Sequence, residues 1–112
     1  MTDNVRAKAE ELKQIILNSE EYRNFDMYRR LFNETPQLKE RVNEFRAANV
    51  EMQMTHDGQN RNAMQELADG YNDLLTNSVV REFMNAELIL CKMLQQIDAI
   101  LVSDVELELD FL

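Results

Sequence analysis

Between Val79 and Ile100, every position of a 4-3-4-3-4-3 spacing is apolar: Val79, Phe83, Ala86, Leu90, Met93, Ile97 and Ile100. Val80, Leu94 and Leu101 widen the stripe. The spacing belongs to a helix, because a strand sends residues an odd number apart to opposite faces. It predicts a helix over residues 78–102, capped by Asn77 or Ser78. At 1.5 Å per residue such a helix is ~35 Å long. A continuous seam over three heptads asks for lengthwise packing at a shallow angle. Shorter helices of the same chain can cover part of it. An equally long helix, from a second copy or a related chain, covers it better. The expected interface residues are Val79, Phe83, Leu90, Met93, Ile97 and Ile100.

The rest of the chain is also patterned for helices. Two Gly and one Pro in 112 residues leave little material for β-turns, and Ala, Leu, Met, Glu, Gln, Lys and Arg are good helix formers. A first helix is expected over 4–17, with Val5, Ala9, Leu12 and Ile16 on one face. Ser19 can cap a second helix to about Asn33, whose apolar side is aromatic: Tyr22, Phe25, Tyr28 and Phe32. Thr35 and Pro36 open a third helix carrying Leu38, Val42, Phe45, Asn49 and Met52. Asn49 is the polar member of that row, either fixing register or lying at its edge. The pattern fails over residues 53–62, a loop or a solvent-bathed helical stretch with Asp57-Gly58 as its turn signal. Periodicity resumes with Met64, Leu67, Tyr71 and Leu74. The expectation is an all-α chain: an elongated bundle or hairpin of four to five helices, dimerising along its long helices. Residues 1–103 would form one domain, followed by an acidic tail over 104–112.

That tail, DVELELDFL, alternates strictly. Val105, Leu107, Leu109 and Phe111 would share one face of an extended chain, and the acidic residues the other. It is either a docking segment for a groove or sheet edge or a frayed terminus. Charge is uneven as well. Residues 1–50 carry nine basic and nine acidic side chains, and residues 51–112 carry three basic and twelve acidic, so the net −9 sits in the second half. A phosphate backbone would be repelled there and a basic protein surface attracted. Apolar runs stop at four residues, far short of a membrane span of ~20, and the polar N-terminus has no signal-peptide core. A soluble, cytoplasmic protein is expected.

Chemistry is hard to find. A single His with no glycine elbow supports no nucleophilic triad, the two glycines are isolated, and no Cys/His pair has zinc spacing. Neither catalysis nor a resident cofactor is expected. Cys91, the only cysteine, lies among Leu88, Leu90 and Leu94. Such a thiol acts as a small apolar filler with a raised pKa. The alternative is redox sensing, or one ligand of a site completed by another chain. Glu87, at the stripe's edge, either reaches water or an Arg, or pairs with a basic residue across an interface.

Several segments together resemble the YlbF/YmcA family of small helical bacterial proteins, and within it the YheA-like branch. LKQIILNSEEYRNF is similar to the family's opening helix, Ser-x-x-Tyr/Phe and aromatic helix. VNEFRAANVEMQ is similar to its middle segment. NSVVREFMNAE resembles its Asn-Pro-Val-Val-x-x-(Tyr/Phe)-x-x-Ala-Glu stretch through Asn77, Val79, Val80, Phe83, Ala86 and Glu87, with Ser78 where proline is usual. The resemblance covers nearly the whole chain. It implies a helical hairpin, dimerisation along the long helices, and no catalysis. It also implies regulation within a multi-protein complex that modulates ribonuclease Y, and thereby messenger RNA processing, competence, biofilm formation and sporulation. Some members of that complex hold iron–sulfur clusters through C-terminal cysteines; this tail has none, and Cys91 is solitary.

The reading that follows is a regulatory adaptor working as a homodimer or hetero-oligomer. Two others stand beside it. One is an iron–sulfur or redox sensor using Cys91 in a shared site. The other is a direct RNA binder using Arg23, Arg29, Arg30, Arg41 and Arg46 with nearby aromatics.

Overall fold

A computed structural model describes residues 1–55 and 61–105. Among them the chain is all-α, with six helices: α1 Asp3–Leu17, α2 Glu20–Asn33, α3 Pro36–Met54, α4 Arg61–Gly70, α5 Asn72–Leu75 and α6 Ser78–Val102. The described residues contain no strand.

Local capping sets most boundaries. At the α1–α2 junction the Tyr22 amide donates to Ser19 Oγ (3.2 Å), and the Ser19 hydroxyl donates to the Ile16 carbonyl (2.6 Å). The Arg23 guanidinium donates twice to the Asn18 carbonyl, at 3.0 and 2.7 Å. One serine thus caps α2 and satisfies an orphan carbonyl of α1. Asn77 caps α6: its Oδ1 accepts the Val79 and Val80 amides at 2.9 and 3.2 Å. Thr35 and Pro36 stand where the sequence puts them, although the Thr35 hydroxyl does not bond the helix it precedes.

The stretch 53–62, read as a loop or a solvent-bathed helical segment, is helical and exposed at both described ends: α3 runs through Met54 and α4 begins at Arg61, while residues 56–60 lie outside the described residues. One detail differs from the expectation. The Met64–Leu74 segment, expected as one piece, is divided at Tyr71, which makes six helices rather than four or five. The physical reason lies on both sides of the break. Gly70 weakens the helix it ends. The Tyr71 ring is held edge-on to Phe45 (5.3 Å between centroids) with the Arg41 guanidinium 4.7 Å from its centroid.

The described residues fall into two compact units. One comprises Met1–Phe25 with the described residues from Ala86 onward; the other is Asp26–Asn85. In the second, α3, α4 and α5 pack on one another. Its core is Phe32, Val42, Leu74, Val80 and Phe83, with Val80 wholly buried. Phe32 and Phe83 stack almost parallel, 4.6 Å between centroids and 6° between planes. Leu38, Phe45, Asn49 and Met52 are half-buried along α3, so Asn49 is neither locked in the core nor fully in water. In the first unit Ala86 and Leu90 are buried, while α1 buries no residue at all.

Candidate functional site

The unburied face of α1 is the feature that most needs a role. Val5, Ala9, Leu12 and Ile16 line an open groove of about 890 Å³ within the Met1–Phe25/Ala86-onward unit. Its other wall is Leu90, Leu94, Ile97 and Leu101 of α6. Both walls have the same i, i+4, i+7, i+11 spacing, which keeps each stripe within about 60° of arc on an ideal helix. Lys8 and Lys13 reach the groove from α1, each paired on its own helix, with Glu11 at 3.2 Å and Glu10 at 2.6 Å. These exposed i,i+3 pairs add little stability but leave α1 with no net charge across Asp3–Leu17.

Helix geometry explains why the groove wall is not the seam read from the sequence. A strict heptad repeat drifts about 20° per heptad on a straight α-helix. Ile100 points about 80° away from Leu90: about 20° is the drift to Ile97, and about 60° is the three-residue step from Ile97 to Ile100. Leu94 and Leu101, which only widen the stripe in sequence, stay in line and become the wall. Ile100 is accordingly 72% exposed.

The six expected interface residues therefore have different surroundings. Phe83 and Leu90 are buried in the single chain. Val79, Met93 and Ile97 are half-buried, and Ile100 is open. Val79 and Phe83 belong to the Asp26–Asn85 unit and the other four to the first unit. Glu87 is half-buried. In the tail, Val105 is exposed; Leu107, Leu109 and Phe111 lie outside the described residues. The α1 stripe was visible in the sequence, but pairing it with Leu94 and Leu101 required coordinates. The shared spacing is the signal that could have suggested it.

Cys91 corrects an expectation. It is exposed, not a filler among leucines. One residue beyond Leu90 is 100° further round the helix, so burying Leu90 turns Cys91 outward. Among the described residues no group of three or more His, Cys, Asp or Glu side chains is placed to hold a metal ion. Replacing Cys91 by Ala should change the urea midpoint by less than about 0.5 kcal/mol equivalent, as for most surface substitutions. A larger loss would mean the thiol is covered in the working protein.

The five arginines considered for RNA have partners within the chain. Arg23 clamps Asn18, while Arg29 and Arg30 both pair with Asp26. Arg41 donates to Asp73 (2.9 Å), and Arg46 lies 5.9 Å from the Phe83 ring centroid. No helix among the described residues is long and apolar enough to cross a membrane.

Fold and groove together define a small protein, all-helical among the described residues, with a long apolar surface that those residues leave uncovered. The chain belongs to the YlbF/YmcA family: the family's model, described as control of competence regulator ComK, matches residues 5–106. That description is one of regulatory control. The match is to the family as a whole and does not separate its branches. No curated protein and no solved structure matches the chain.

Proposed function

We propose that this chain is a non-enzymatic regulatory adaptor, assembled with a second copy of itself or a related chain through the α1–α6 groove. The observation that carries the reading is the groove itself, two matched apolar stripes facing open space. Leu94 is 42% exposed and Leu101 59% in the single chain. Covering a Leu or Ile side chain fully is worth about 1.5–3 kcal/mol, so burying the exposed part of each residue along both walls favours assembly against the cost of association. A like partner fits the charge. The whole chain is at −9, but α1 is neutral and can meet a copy of itself without repulsion. The family description supports regulation as the outcome of such contacts. Ribonuclease Y-dependent RNA processing, competence, biofilm and sporulation control are the pathways in which the adaptor would act, in the cytosol. The acidic second half would meet a basic partner surface, with the tail at 104–112 as a further contact.

Light scattering after gel filtration should give twice the 13.2 kDa chain mass at micromolar concentration. A clean 13.2 kDa species at that concentration would remove self-assembly through the groove and leave only a related chain as its partner.

A further inference from the structure

The Asp26–Asn85 unit carries a concavity of its own, about 220 Å³ in volume. Phe32, Val42 and Phe83 give it an apolar lining, and Arg29, Lys39 and Arg46 bring three cations to it. No carboxylate is among its lining residues in the described part of the chain. The cations come from two helices, Arg29 from α2 and the other two from α3. Arg46 sits within cation–π range of the Phe83 ring, so its guanidinium is held at the apolar floor. Arg29 pairs with Asp26, which also takes Arg30. A guanidinium has five N–H donors, so Asp26 and a further acceptor can share Arg29. In a chain of net charge −9, this is a local reversal of sign built over an aromatic stack.

We propose that this pocket docks an acidic peptide segment of a protein partner. Phe32, Val42 and Phe83 are already covered by the chain itself, so charge and not apolar contact carries the docking. The carboxylate is held by Arg46 and Lys39, with Arg29 beside them. Capture of acidic motifs by Arg clusters is a recurrent mode of peptide recognition. Nucleic acid fits less well. A phosphate backbone needs cations along a track, whereas here three meet at one spot in a chain whose remaining charge repels a polyanion. A short acidic segment places its charge only where the cations are. The pocket and the groove are tested separately: a monomeric protein can still bind the peptide, and a dimer can fail to.

The test is fluorescence anisotropy with the full chain and a labelled nine-residue peptide of alternating Glu and Leu. Lys39→Glu and Arg46→Glu are compared with Arg6→Glu, an equal charge change on α1, outside the pocket. Binding should weaken as salt rises. It should fall at least about ten-fold in both pocket variants and stay unchanged in Arg6→Glu. A peptide with Lys in place of Glu should not bind. Lys39 is exposed near the start of α3, where an acidic residue suits the helix dipole, so Lys39→Glu remains informative even if Arg46→Glu fails to fold. The proposal is overturned by three results: no peptide binding at millimolar concentration, equal binding by Lys39→Glu and the unaltered chain, or an equal loss in Arg6→Glu. Displacement of the peptide by an equimolar RNA oligonucleotide would assign the pocket to phosphate instead.

Discussion

Replacing Phe83 by Ala should destabilise the protein by about 3–5 kcal/mol, the range for deleting a buried aromatic side chain. Phe83 is 6% exposed and stacks on Phe32. Its removal takes away ring area, the stacking contact and the surface beneath the Arg46 guanidinium, and it leaves a cavity beside Val42. A domain of this size holds about 5–15 kcal/mol in total, so the variant would be close to unfolding at 37 °C. Urea unfolding at matched protein concentration measures the loss. The matching is needed because assembly would itself add apparent stability. Phe83→Leu separates volume from stacking: it keeps most of the apolar volume and should lose only about 0.5–1.5 kcal/mol. A loss below about 1 kcal/mol in Phe83→Ala would mean that the stack is not a working core.

Ile97→Glu should abolish assembly while leaving the helices intact. Ile97 lines the open groove and is only half-buried in the single chain, so its replacement disturbs little that one chain builds alone. In an assembled groove the new carboxylate would be set among Leu90, Leu94 and Leu101, and the lysines at the groove, Lys8 and Lys13, already pair with Glu11 and Glu10. Burying such a group costs several kcal/mol, enough to raise the dissociation constant by about two orders of magnitude or more. Leu90→Glu is the contrast. Leu90 is 8% exposed in the single chain, so that substitution should damage folding and assembly together. Far-UV circular dichroism and light scattering on both variants read the difference. If Ile97→Glu keeps an oligomer mass equal to that of the unaltered protein, the groove is not the interface.

The heptad seam shows what a sequence pattern can and cannot carry. It correctly located α6, from Ser78 to Val102, and the face that turns inward around Leu90. It could not say that Phe83 would be covered by Phe32 of the same chain while Ile100 stayed open. Nor could it place Cys91, whose apolar neighbours in sequence suggested burial and whose position 100° round from Leu90 put it in solvent. The pocket of Arg29, Lys39 and Arg46 was half-legible: its arginines stood out near aromatics, but their convergence on Phe83, more than thirty-five residues further on, depends on how helices meet.

Most helix positions and ends were determined by the sequence alone, because capping, propensity and periodicity act over four or five residues; the break at Tyr71, held by Phe45 and Arg41, was not. Ser19, Pro36 and Asn77 act on their own neighbourhoods wherever the chain goes. Which apolar faces close on each other, and which remain as the groove of α1 and α6, was decided only in three dimensions. A periodic stripe fixes the direction in which a helix must bury its side chains, but the surface that meets it comes from residues far away along the chain.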